Sequence, residues 1–191
     1  ENLPYKVIKV KRAEADDIIA TFVETTQEFG NDENVMIISA DKDFIQLQKY
    51  KNVSQFSPKT RKLVTDKNPR RYLQEHILRG CGTDGVPNVL SADTVFIDPK
   101  GRQTPLTKAR VDKWCNEFSK LDTIMEPDIF RNFVRNRWCI DFSYIPSDLS
   151  DEILNEFDRQ PNTPNSSVLP YLISNRCKLL ISCANDFFPS K

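Results

Sequence analysis

The short run Asn34-Val-Met-Ile-Ile38 limits the folds open to this chain more than any other feature. It is apolar and β-branched, with no polar alternation, so it suits a strand buried on both faces, as in a parallel sheet. Helical spacing precedes it. From Ala13 to Phe29, apolar residues recur at Ile18, Ile19, Phe22, Val23 and Phe29, and Gly30 follows as a stop signal. Further upstream, Tyr5-Lys-Val-Ile-Lys-Val10 has strand-forming composition. Downstream, Lys42 to Tyr50, with Phe44, Ile45 and Leu47, suits a short helix. Val53 to Ser57 and Lys62 to Thr65 suit two strands joined through Pro58-Lys-Thr-Arg61. Residues 1–66 therefore read as β-α-β-α-β-β, part of an α/β sandwich.

From Pro69 onward the pattern is helical. Arg70 to Gly80 is one expected helix, followed by a turn rich in glycine and proline and by a poorly periodic stretch from Ala92 to Thr104. Leu106 to Lys120, Pro127 to Arg137, Asp148 to Phe157, Ser167 to Ser174 and Arg176 to Phe187 are further helices, with Gln160 to Ser167 as a connector. The expected division is an α/β part over 1–66 and a helical part over 67–191.

Two knots of carboxylates, Glu14-Ala-Asp16-Asp17 and Asp41-Lys-Asp43, each follow an expected strand. In a parallel sheet both would lie at the carboxyl edge, where open α/β sheets place their sites. Acids this dense, in a chain with a single histidine, point to bound divalent cations rather than to proton shuttling. Hard ions such as Mg²⁺ take oxygen ligands, often one or two carboxylates with waters and substrate phosphate. Helix capping and the helix dipole also favour acids at these positions, and would explain one or two of them without any ion.

Charge is balanced overall, with 27 basic and 27 acidic side chains, but residues 59–113 carry 12 basic against 6 acidic. That surplus suits a polyanion partner, or else a solvated charged face. The five cysteines are odd in number, scattered and without a C-x-x-C pair, as in reduced thiols of an intracellular protein. No apolar stretch approaches the length of a membrane span. The turn Cys81-Gly-Thr-Asp84-Gly-Val-Pro-Asn88 exposes backbone amides that could hold a phosphate without reading a base, or it is simply a helix-to-helix turn.

Together, Arg12-Ala-Glu-Ala-Asp-Asp17, Ile37-Ile-Ser-Ala-Asp-Lys-Asp-Phe44 and Gly80-Cys-Gly-Thr-Asp-Gly-Val-Pro-Asn88 resemble the flap-endonuclease (5′-nuclease) family. Gln46-Leu47, Val53-Ser-Gln-Phe-Ser-Pro58 and Cys139-Ile-Asp-Phe-Ser-Tyr-Ile-Pro146 look most like its bacteriophage-type RNase H branch. The resemblance covers nearly the whole chain and is weakest over 90–125. It implies a PIN-like parallel-sheet core, incomplete at the N-terminus, followed by a helix-three-turn-helix near 70–95 and a C-terminal helical region. It also implies site residues. Glu14, Asp16 and Asp41 would serve a first metal, Asp43 and Asp84 a second, with Asp17 in support; Glu14, Asp16, Asp41 and Asp43 would be catalytic. Two Mg²⁺ ions, replaceable by Mn²⁺, would activate water for phosphodiester cleavage, and the turn could hold K⁺.

By the same resemblance, Gly82, Asp84, Gly85 and Val86 in the turn would grip a duplex, with Arg61, Lys62, Arg70, Arg71 and Arg79 beside them. No histidine would be required. The implied activity is a 5′-to-3′ exonuclease and flap endonuclease that removes RNA primers in phage DNA replication. Its partners would be flapped duplex DNA or an RNA–DNA hybrid and a single-stranded-DNA-binding protein, in the cytoplasm of an infected host and away from membrane. Two further family aspartates have no counterpart here, Cys81 stands where an aspartate is common, and the chain opens on Glu1. The expectation is a C-terminal fragment, inactive alone. The alternative is a non-catalytic duplex-binding module.

Overall fold

The structure, a computed structural model, describes residues 5–160 and 168–187. Its larger compact unit runs from Ala15 to Pro146. Helix α1 (Ala15–Gln27) leads to strand β1 (Val35–Ile38), a 3-10 helix (Asp43–Lys49), β2 (Val53–Ser57) and β3 (Lys62–Val64). β1 pairs in parallel with β2, Val35 opposite Val53 and Ile38 opposite Phe56. β2 pairs antiparallel with β3. Three strands in the order β1-β2-β3 form the sheet. Burial alternates along β2, with Val53, Gln55 and Ser57 inward, as a pleat requires. The core beneath holds Ala20 and Val23 of α1, Ile37, Phe44, Leu47 and Val53.

The helical part follows with α2 (Pro69–Arg79), α3 (Lys108–Asn116), a short α4 (Leu121–Ile124) and α5 (Pro127–Ile140). Asn68 caps α2 by accepting from Arg71 N, and Pro69 sits where a missing N–H costs nothing. Ile77, Leu78, Val89, Val111, Trp114, Leu121 and Phe133 make a second core. Buried Gln46 joins the two parts of this unit: its Nε2 donates to Ile140 O, and its Oε1 accepts from Phe142 N, both at 3.0 Å.

The smaller unit combines the N-terminal 14 residues with residues from Ser147 onward. Its helices are α6 (Ser147–Arg159), α7 (Val168–Ser174) and α8 (Lys178–Ile181), with a 3-10 turn at Ala184–Phe187. Here the first expected strand is corrected: residues 5–10 form no strand. The N–H of Val7 donates to Gln160 Oε1 at 3.0 Å and its C=O accepts from Gln160 Nε2, so a side chain occupies the backbone groups that a neighbouring strand would use. Lys6 Nζ donates to Phe157 O at 2.8 Å, and Arg12 meets Asp148 and Glu152. This segment lies along α6 as irregular chain.

Other expectations shift less. The helix expected over Lys42–Tyr50 is 3-10 in form, and the one over Arg176–Phe187 breaks into two short pieces. Of the expected connector, residues 161–167 fall outside the described residues, as does the side chain of Phe29. No helix follows the 80–88 turn by residue 95. Residues 87–107 are turns and irregular chain, and the next helix is α3. Among the described residues, no helix is long and apolar enough to cross a membrane.

Candidate functional site

β1 ends at Ile38, and the chain leaves its carboxyl end into the second carboxylate knot. Ser39 N donates to Phe56 O at 3.0 Å, continuing the parallel ladder by one residue. The next turn is held from within. Asp41 N donates to Ser39 Oγ at 3.1 Å, and Asp43 N donates to Asp41 Oδ1 at 3.0 Å, so Asp41 opens the 3-10 helix. Gln55, only 1% exposed, points inward from β2 and donates through Nε2 to the carbonyls of both Ser39 and Asp41. A buried amide thus fixes the loop that carries Asp41 and Asp43. No role for Gln55 is evident from the sequence alone; its signal is a polar residue at an inward position of β2.

Asp41 is exposed and Asp43 half-buried. Asp43 Oδ1 lies 3.1 Å from His76 Nε2, which α2 supplies. Tyr72, one turn earlier on α2, stacks on the His76 ring with centroids 5.9 Å apart. Burial, and then the charges of Asp43, Asp41 and Asp66, push the Tyr72 phenol up to about 12. Asp66, Asn68, Arg71, Tyr72, Glu75, His76 and Arg79 surround a hollow of about 350 Å³ on this side of α2. The resemblance left histidine without a role, yet the only His76 is in contact with a candidate site acid.

The first knot is placed differently from the expectation. Asp16 and Asp17 occupy the first turn of α1 and are half-buried, while exposed Glu14 precedes that helix. Because residues 5–10 form no strand, only the Asp41–Asp43 knot lies at the carboxyl end of a parallel strand. Asp84 stands on the exposed 80–88 turn, beside the Cys81 thiol. Among the described residues, no three His, Cys, Asp or Glu side chains gather into a group that could hold a metal ion. The donor chemistry of Asp41 and Asp43 nonetheless fits one hydrated Mg²⁺. Each engages one oxygen, Oδ1, within the protein, and a hydrated Mg²⁺ commonly uses one or two carboxylates.

The 80–88 turn is rigid for identifiable reasons. Gly80 has φ +69° and ψ −178°, a region open essentially to glycine, and a Cβ there would fall 2.3 Å from Val86 O. Val86 N donates to Cys81 O at 2.8 Å, closing the turn, while Gly82, Thr83, Asp84 and Gly85 stand exposed at its tip. Its carbonyls are tied down from α5. Asn136 Nδ2 donates to Ile77 O and Pro87 O at 2.8 Å each, and Arg135 Nη2 donates to Pro87 O at 3.1 Å. Asn132 Nδ2 donates to Val89 O at 3.1 Å and to Ser91 O at 3.2 Å. Sequence analysis missed this ridge; two asparagines four apart on an otherwise amphipathic helix were its trace.

The basic residues divide. Arg61, Lys62, Arg70 and Arg79 are exposed, Arg61 in the β2–β3 turn at φ 56°. Arg71 is engaged internally: it meets Glu75 at 2.9 Å, Asp112 at 2.6 Å and Asn116 at 3.1 Å, linking α2 to α3. Arg71, expected beside a duplex, uses its five-donor fork in this structure to join helices.

Comparison with known proteins fits this arrangement. The family model "T4 RNase H, C terminal" matches residues 72–187, and "5′-3′ exonuclease, N-terminal resolvase-like domain" matches residues 1–77. Ribonuclease H of Enterobacteria phage T4 is 32% identical over 138 residues, which is 70% of this chain and 45% of that protein. The chain thus spans less than half the length of this curated relative. With a mixed α/β part that leads into helices, and with the family match extending over more than half its length, the chain belongs to the T4 RNase H family of 5′-nucleases.

Proposed function

We propose that this chain is part of a metal-dependent 5′-to-3′ exonuclease and flap endonuclease that removes RNA primers and 5′ DNA in phage replication. The observation that carries the reading is the Asp41–Asp43 loop at the carboxyl end of β1, fixed by buried Gln55, in a chain of the T4 RNase H family. Asp41 and Asp43, with Glu14 and Asp16, are the proposed catalytic carboxylates, and Asp17 and Asp84 support them. Mg²⁺, when bound, would supply Lewis acidity and an activated water. The chain's own part is to orient Asp41 and Asp43 through Gln55 and to leave an oxygen of each acid for the ion. We read the α/β part as PIN-like and the turn with its flanking helices as the duplex grip. Exposed amides at Gly82 and Gly85, with the flanking Val86 and Asp84 and with Arg61, Lys62, Arg70 and Arg79, would meet phosphates of a duplex without reading bases.

A second reading is a non-catalytic duplex-binding module. It is favoured by the absence, among the described residues, of any gathered group of three metal-ligating side chains. One experiment separates the two. A labelled RNA primer annealed to DNA is incubated with the chain, with Mg²⁺ or EDTA, alongside Asp41→Ala and Asp43→Ala. Release of short 5′ products that needs Mg²⁺ and both acids supports the nuclease. Since the nuclease reading expects this chain to be inactive alone, the assay is repeated with the chain joined to the preceding segment of the T4 relative, and binding of the hybrid with no products from either form supports the module. Cleavage that survives both substitutions removes these acids from the site.

A further inference from the structure

We infer that His76 is a positioning residue for Asp43, by which α2 sets the carboxylate that the proposed reaction uses; this rests on the nuclease reading above. His76 Nε2 lies 3.1 Å from Asp43 Oδ1. The nitrogen is buried, its approach is off hydrogen-bond geometry, and it has no other partner among the described residues. A buried polar nitrogen with nothing else to meet is costly unless the group it faces repays it. Asp43 is that group. Both side chains are largely withdrawn from water, at 17% and 20% exposure, so the contact is poorly screened.

The placement is specific. Tyr72 covers one face of the imidazole, and the helix that carries both rings packs on the 3-10 helix that starts at Asp43. Asp43 thereby has one oxygen fixed by α2, while Asp41 has one fixed by the Asp43 backbone N–H. A carboxylate held through one oxygen keeps the other in place for a cation, and partners of this kind commonly change metal affinity by 10–100-fold. α2 also leads directly into the 80–88 turn, so a single rigid element connects the proposed duplex grip to the proposed acid site.

The test is titration of Mn²⁺ into the chain, followed by calorimetry. It is repeated with Asp43→Asn, His76→Ala and His76→Gln, with circular dichroism and thermal melting for each. His76→Ala is expected to bind Mn²⁺ about tenfold more weakly with an unchanged spectrum. His76→Gln, which restores a donor of similar reach, is expected to recover most of that loss. If His76→Ala melts before it can be titrated, His76→Phe, which keeps a ring against Tyr72 but carries no donor, takes its place with the same expected tenfold loss. Binding that falls in Asp43→Asn but is unchanged in both His76 variants overturns the inference and leaves the ion reading intact. No Mn²⁺ binding by the unsubstituted chain in the millimolar range overturns both, and leaves the His76–Asp43 contact a structural one.

Discussion

At the scale of single residues, a carboxylate away from the candidate site is strongly held by charge. Asp93 is gripped by Arg131 and Arg135 of α5, whose hydrogen bonds hold its carboxyl at about 2. A folded-state value below the unfolded one means the stabilisation is present above about pH 4 and is lost as pH falls toward 2. Asp93→Asn is therefore expected to melt below the parent chain at pH 7 and to match it near pH 2, followed by circular dichroism. The pair is 42% exposed on the carboxylate side, so the difference at pH 7 should stay small, about 1 kcal/mol or less. Burial pushes the Cys115 thiol up to about 11, whereas Cys139 is exposed. An alkylating reagent at pH 8 is expected to label Cys139 and spare Cys115 in native protein, read by mass spectrometry. Equal labelling would mean that the second core opens readily.

At the scale of elements, the 80–88 turn is a small machine for fixing backbone. Asn136, fully buried, satisfies two carbonyls from different segments. Asn136→Ala would strip Ile77 O of this donor and leave Pro87 O to Arg135 alone, at a cost of about 1–3 kcal/mol, measured by urea unfolding. Gly80→Ala should destabilise by about 1–3 kcal/mol from backbone strain alone, before the clash with Val86 O is added. If duplex binding depends on this turn, Gly80→Ala should also weaken it at temperatures well below melting. A Gly80→Ala chain that binds DNA as tightly as the parent would separate the turn from recognition.

Across the whole molecule, the basic surplus of residues 59–113 resolves into two populations. Arg70 and Arg79 are exposed, while Arg71 is spent on Glu75, Asp112 and Asn116. Reversing Arg70 and Arg79 to Glu is expected to weaken binding to duplexes of any sequence about equally. It should also flatten the dependence on salt, since each neutralised phosphate releases counterions. Arg71→Glu should instead lower the melting temperature through the lost α2–α3 link. A fluorescence-anisotropy titration at two salt concentrations, with a thermal melt beside it, distinguishes the effects. Salt-insensitive binding in the parent chain would deny the surplus any role in holding phosphate.

Local pattern decided a good deal. The strands at Val35–Ile38 and Val53–Ser57 and the helices over 70–80 and 127–137 appear where local pattern puts them. But β1 is buried on one face and not both, since Met36 and Ile38 stand 54% and 69% exposed with no layer over them among the described residues. The motif residues Asp41, Asp43 and 80–88 were legible too: chain order alone places them at a strand end and in a glycine turn. What tertiary structure decided is who meets whom across large separations. Residues 5–10 have the composition of a strand, but Gln160, more than 150 residues away, takes the backbone of Val7. Arg71 looks like its neighbour Arg70 until α3 brings Asp112 beside it. Gln55, His76 and Asn136 each acquire a partner only when separate elements pack. Propensity and pattern are set within a few residues, whereas the pairing of buried polar groups depends on which segments share an interior where water cannot serve as the partner.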